Sequence, residues 1–408
     1  MRSDLGISGL NPYLLFDAES SMIGTFETPT LDLDPAVPSS LDVITAVRAG
    51  VASYTDASGL IQEATANTVR VDHSLGYPAM LIEPSATNLV AYSEDFSDSY
   101  WAKSISGTGV APVITPNISV SPDGTQNASK IVFNSGSGTS SSDWSLLTTS
   151  SSVTSVNNIY THSIYLKGAV GGEKIYLRGV AGSNYKEITL TTDWVRYETT
   201  ETAQTASSLM SLGIRQGLGS FIDNSSVTVH IWGAQLEAGS VAGSVATSYI
   251  PTSGSAATRA NDNLSITGSA FSDFFSTTEG TFYAEFVRAT GSDGVQRYVL
   301  GSQSNSARFC YIQSSSNTVG SYDGENFVGA GNYVAAQLSR YAISYLNSSA
   351  IDATSASLNG ASEVTNYHNG NLLSVPTQLN IGRSAGNIEH LKGHIKRVIY
   401  WPNHSDSL

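Results

Sequence analysis

"HIWGAQLEAGSVAGSVATSYIPT", residues 230–252, is the stretch on which the fold turns. With the preceding Val227, Thr228 and Val229 it alternates aliphatic and polar side chains at the period of a strand, then passes into small polar residues closed by Pro251. Val227, Val229 and Ile231 therefore face a core, and Thr228, His230 and Trp232 face the other way. "AGSV" occurs twice in succession across Ala238–Val245. A regular strand followed by so bland a connection predicts the end of one β-module and the start of another.

Composition agrees with an all-β chain. Charged residues make up 13% of the 408, against roughly 25% in ordinary soluble domains, with Gly, Ser, Thr and Asn in their place. Hydrophobic residues, at 40%, suffice for real cores and exclude a disordered chain. A net charge of −14 repels phosphate backbones, so no nucleic-acid partner is expected. No apolar run approaches the roughly 18 residues of a spanning helix, so no membrane insertion is expected. "MRSDLGISGLNPYLLF" (1–16) lacks an apolar signal region, which predicts synthesis in a cytoplasm without a signal peptide. Cys310, the single cysteine, lies in strand-like "ARFCYIQ" and reads as a small buried side chain.

Turn signals divide the chain. "TPTLDLDPAVPSSLD" (28–42), with three prolines, suits an extended segment laid on another surface. "VASYTDASGLIQEA" (51–64) reads as a hairpin turning at Asp56–Gly59. A strand block begins at Asn88 and includes "SPDGTQNASKIVF" (121–133), with its Pro-Asp-Gly turn. A second runs from Leu264 to Trp401, with hairpin turns at Asn359-Gly360 and Asn369-Gly370. The expected organisation is an N-terminal docking region with short strands (1–87), a first jelly-roll sandwich (88–252), a linker (253–263), a second sandwich (264–403) and a tail (404–408).

Four phrases carry a resemblance: "VASYTDASGLIQEATANTVRVDHS" (51–74), "MLIEPSATNLVAYSEDFSDSYWAK" (80–103), "WGAQLEAGS" (232–240) and "ATSYIPTSGSAATRAND" (246–262). They are similar to phrases of bacteriophage virion proteins of the tail-fibre and particle-surface kind. Residues 88–252 resemble carbohydrate-binding-module jelly rolls, and 264–401, closing on "LKGHIKRVIYWP", resembles a concanavalin/laminin-G-like sandwich. The phrase usually passes once from "LEAGS" to "ATSYIPT"; the doubled "AGSV" departs from it. The resemblance implies location on a phage particle, contact with other virion proteins through residues 1–87, and closed homo-oligomers, expected as a trimer. For the jelly roll it also implies a structural calcium between first and last strands, near which Glu94 and Glu237 lie.

Chemistry is thinner. Strand-borne paired carboxylates of the E-x-D-x-E kind are absent, and adjacent Glu94 and Asp95 point to opposite faces. A G-x-S-x-G nucleophile elbow reads as absent too, so the chain reads as no enzyme, with a glycan depolymerase the least favoured function. His390 and His394 read as surface or packing histidines, since four strand residues hold them too far apart for one zinc ion. Glycan binding has more content, because sugars stack on aromatic rings beside polar groups. Trp232, the pair Tyr176 and Arg178, and the pair Trp194 and Arg196 lie opposite the aliphatic positions of their strands. They are either a glycan face or surfaces packed under the N-terminal segment or a neighbouring subunit. The function expected is a non-enzymatic tail-fibre or spike-like protein that recognises host-surface polysaccharide. The alternative is a capsid-decorating or head-fibre protein with purely structural contacts.

Overall fold

The computed structural model describes residues 28–408 except 151–154, 180–184, 205–208, 218–224, 240–244, 290–293, 305–307, 315, 323–326, 348–351, 369–374 and 406–407. The doubled "AGSV" and the Asn369-Gly370 turn fall largely within those exceptions. The chain is all-β, as its alternating patterns require: strands account for nearly all its regular structure, in antiparallel sheets.

The middle sandwich packs two five-stranded sheets face to face. One runs Val195–Thr202, Ile159–Gly168, Ser226–Ala238, Ala128–Asn134, Val110–Ser119. The other runs Lys186–Thr189, Lys174–Arg178, Ser211–Arg215, Trp144–Thr149, Trp101–Ser106. Val227, Val229 and Ile231 enter the core between them, with Ile131, Ile164, Leu177 and Leu212. The strand then slips by one residue. Tyr165 stands opposite Trp232 but Ser163 stands opposite Gln235, so Gly233 and Ala234 share the place of one residue. Gly233, at φ +63°, makes this bulge; a Cβ there would lie 3.1 Å from Tyr165 and 3.3 Å from Tyr249. After the bulge Ala234 and Leu236 face the core, and Gln235 and Glu237 face out of it.

The outer sandwich is built from both ends of the chain. The final strand, Gly393–Trp401, pairs on one side with Glu279–Arg288. Its other side is shared: Ala79–Ile82 covers residues 393–395, and Leu31–Leu33 covers residues 398–400. In the facing sheet Thr45–Val47 pairs with Asn263–Thr267. Leu31, Leu33, Leu41, Met80 and Ile82 pack in one core with Phe282, Phe309, Ile343 and Ile395. The region expected over 1–87 is therefore not separate from the outer sandwich: its residues from Leu31 to Ile82 supply strands and core to it, because the last strand would otherwise leave an uncovered edge and apolar face. Residues 1–27 lie outside the described residues.

The middle sandwich is thus an insertion. The chain leaves along Ala86–Asn88 and returns along Ala257–Arg259, and these two short strands pair, Asn88 opposite Ala257. The linker expected over 253–263 is half strand. The expected tail folds back on the outer sheet: the His404 amide donates to Glu279 at 3.0 Å and the Ser405 amide to Ser344 at 2.8 Å. Among the hairpins, Asp56–Gly59 turns between Ala52–Thr55 and Ile61–Ala64, and Asn359 and Gly360 both take positive φ, 55° and 74°. Cys310 is fully buried in the outer core.

Candidate functional site

The phrases that carried the resemblance meet at the root of the insertion. Arg48, Arg70, Glu83, Arg259 and Asp262 form a cluster in which every side chain is buried. Arg48 donates to Asp262 at 2.9 Å, Arg70 to Glu83 at 2.9 Å and also to Asp262, and Arg259 lies 3.4 Å from Glu83. Glu83 also accepts from the amide and hydroxyl of Ser248, at 2.8 and 2.7 Å. Burial opposes its charge, but Arg259, Arg70 and Ser248 prevail and hold its carboxyl far below the ordinary value.

The opening stretch clasps itself beside that cluster. Gln235 accepts the Ile250 amide at 2.7 Å, and Glu237 takes the amide and hydroxyl of Thr247 at 2.8 and 2.5 Å. Asn88 donates to the carbonyls of Ala234 and Ile250 and accepts the amides of Leu236 and Val90. Every polar atom of the Asn88 side chain is engaged, as its complete burial demands.

Trp232 lies opposite the core, as alternation dictates, but it is not exposed. Its relative exposure is 1%, with Tyr249 at 4.5 Å and Tyr165 at 5.5 Å between ring centroids. Register places Arg196, Tyr165 and Trp232 in one cross-strand row. Arg196 stacks on Tyr165 and donates to the Thr247 carbonyl at 2.7 Å. Trp194 is half-buried in the same patch, its indole N–H donating to the Val120 carbonyl at 2.9 Å and Lys167 over its ring. Trp232 is covered by Tyr249 of the chain's own return segment, which sequence reasoning could not place, so it offers no free ring face to a sugar.

Tyr176 and Arg178 lie elsewhere, on the second sheet. Tyr176 is buried and meets Tyr185 edge-on, and Arg178 stacks on the same Tyr185. Arg215 lies between Tyr185 and Trp144, 5.7 and 5.0 Å from their rings. A guanidinium group thus lies over each of the Tyr185 and Trp144 rings.

Two hollows flank Tyr249 between the sandwiches. One, of 310 Å³, is lined by Tyr165, Arg196, Asp72 and His394. The other, a crevice of 470 Å³, has Val51, Ile61 and Pro251 on its apolar side and Glu63, Glu94, Asp123 and Thr125 on its polar side, with Trp232 and Tyr249 in the wall. Glu94 accepts from Tyr249 at 2.8 Å and from Asn127 at 3.0 Å. Burial, with Asp123 and Glu63 nearby, raises its carboxyl above the ordinary value. Asp123 is also penalised by burial, but hydrogen bonds from Ser121 and Thr125 outweigh that and lower it. Glu63 is exposed at the rim.

The two carboxylates expected to flank a calcium are each bound by protein donors, and only Glu94 reaches the crevice. Among the described residues no three His, Cys, Asp or Glu side chains gather closely enough to hold a metal ion. His390 lies in the loop before the last strand, hydrogen-bonded to Asn263 at 3.1 Å, and His394 pairs with Asp72 at 3.0 Å. One motif was missed: "GRSAG", Gly382–Gly386, has the spacing of a nucleophile elbow. Its Ser384 is fully buried, donates to the Ile388 carbonyl at 2.9 Å, and is followed by no helix, so the spacing is coincidental.

No protein-family model and no curated protein matches the chain. Among solved structures it is similar to the tripod of the baseplate of bacteriophage Tuc2009, at 12% identity, over 79% of this chain and 97% of that one, with a TM-score of 0.23. It is also similar to Trypanosoma rangeli sialidase: in complex with the inhibitor DANA at 9% identity (88% and 97% of the two chains, TM-score 0.24), and alone at 8% (88% and 97%, TM-score 0.25). At these identities and TM-scores the likenesses carry no argument about function.

Proposed function

We propose that this chain is a non-enzymatic structural protein of a phage particle, tail-fibre or spike-like, that takes host-surface glycan into the crevice between its two sandwiches. The observation that carries the proposal is that crevice. It sets acceptor side chains against an apolar wall, the pairing that receives sugar hydroxyls on one side and C–H faces on the other. The virion setting is supported by the phrases at residues 51–74, 80–103, 232–240 and 246–262, several of whose residues build the buried joint. The absence of catalysis is supported by the state of the crevice carboxylates. Both Glu94 oxygens accept protein hydrogen bonds, and Asp123 is held by its own turn, so both carboxylates are engaged by the fold itself.

A glycan array probed with the intact chain tests the reading: binding that weakens in Glu94→Gln supports it, and no binding to any glycan overturns it. Release of reducing ends during incubation would overturn the non-enzymatic part. Self-association as a trimer belongs to the same reading, and sedimentation as a monomer at micromolar concentration would remove it. A second reading, a purely structural capsid-decorating protein, is favoured by the burial of Trp232. A particle structure with the crevice covered by another subunit would select it.

A further inference from the structure

We infer that the crevice takes a cationic sugar, a glycan carrying unacetylated hexosamine, and excludes acidic polysaccharides. The inference rests on the glycan reading above and adds the charge of the ligand. The polar side of the crevice carries three carboxylates, Glu63, Glu94 and Asp123. Among the described residues none of the three forms an ion pair with a Lys, Arg or His. Arg259 is the basic side chain in the lining, and Glu83 and Asp262 already flank it at 3.4 and 4.0 Å. The wall is therefore negative and rich in acceptors. A ligand that complements it brings N–H and O–H donors and positive charge, and an ammonium on a sugar ring supplies both.

A second observation points to an occupant. Trp232 lines the crevice with 1% of its surface exposed, and its indole N–H finds no acceptor among the described residues. An orphan donor is costly, and a sugar oxygen seated against this wall would relieve that cost where the ring edge shifts to meet it. A metal ion does not answer the same charge, because the carboxylates do not converge on one coordination sphere. The hydroxyls and amine of a sugar ring are spread around its rim, so they can meet carboxylates that do not converge on one point. The net charge of −14 acts in the same direction at long range, drawing in cationic and repelling anionic polymers.

The test is titration calorimetry of the intact chain at pH 6 and low salt. The probes are a glucosamine oligosaccharide, its N-acetylated counterpart, a neutral glucan oligosaccharide and a uronic-acid oligosaccharide. The glucosamine probe is expected to bind about tenfold or more tightly than the acetylated and neutral ones, since charge-assisted hydrogen bonds are about twice as strong as neutral ones. The uronic probe is expected not to bind. Glu63→Gln, at an exposed position that does not endanger folding, and Glu94→Gln should each weaken the glucosamine probe several-fold, with salt doing the same to the wild type. Equal binding of neutral and amino probes overturns the inference and leaves the glycan reading standing. Glucosamine binding unchanged in both variants overturns the site. Binding of none of the four probes overturns both.

Discussion

Asp262 is the residue on which the joint depends. It accepts from Arg48 and Arg70 and from the Glu83 amide at 3.0 Å, so its loss leaves buried guanidinium groups short of a partner. Breaking a buried ion network by removing one member costs about 3–5 kcal/mol. Asp262→Ala is therefore expected to lose about that much stability in urea denaturation; a loss below about 1 kcal/mol would show that the cluster is relaxed or wet. "IEP" and "TRAND" are conspicuous in the sequence as phrases, but nothing local says that Glu83 and Asp262, 179 positions apart, share one arginine. Trp232 teaches the converse. Its face is legible from alternation, while its burial depends on Tyr249, which arrives from beyond the end of the strand.

At the scale of the element, the bulge at Gly233 converts one strand into two tasks. Before it the outward side chains are Thr228, His230 and Trp232; after it Gln235 and Glu237 reach the return segment. Gly233→Ala is expected to cost about 1–2 kcal/mol for the left-handed backbone alone, and more from the close approach of Tyr165. A neutral outcome in thermal denaturation would show that the strand can run without the bulge. Gly inside a strand is the sequence signal for such a feature, and strict alternation passes over it. The short N-terminal strands carry a second prediction. Deleting residues 28–41 removes Leu31, Leu33 and Leu41 from the outer core and is expected to unfold that sandwich. Leu33→Ala alone should cost about 2–5 kcal/mol in the same assay. A folded, soluble deletion variant would restore the docking-arm reading of this segment.

At the scale of the whole molecule, an insertion whose two ends pair should be removable. Joining Asn88 to Ala257 by a short Gly-Ser bridge in place of residues 89–256 is expected to leave the outer sandwich folded, with a lowered melting temperature because Ser248 is lost from the cluster. An insoluble product would mean that the two sandwiches fold only together. Acid stability is also a property of the whole. Burial lowers His162 to about 3 and His390 to about 4 from 6.5, so both are neutral in the fold. The unfolded chain takes up protons at these sites first, so their contribution is complete above pH 6.5 and declines as pH falls towards 3–4. Asp72 follows. Burial opposes its charge, but hydrogen bonds from His394, Ser74 and Thr55 carry it from 3.8 down to about 2, and its contribution is lost as pH falls across that interval. Urea denaturation from pH 8 to pH 2 should show stability falling already between pH 6.5 and 5, with His162→Leu flattening that part; a level curve there would contradict the buried neutral histidines.

What the sequence determined by itself is local. Alternation set the strands and their inward faces, Asn359-Gly360 and Asp56–Gly59 set turns, and the low charge with ample apolar content set an all-β chain with real cores. What only the tertiary structure decided is non-local. It decided that residues 31–82 complete a sandwich whose other strands begin near residue 263, that the middle sandwich is an insertion, and that the crevice brings Glu63, Glu94 and Asp123 together. The physical reason is that a strand's period reports which side of it is buried, whereas its partner is chosen by whichever edge and apolar face remain uncovered when the whole chain has collapsed.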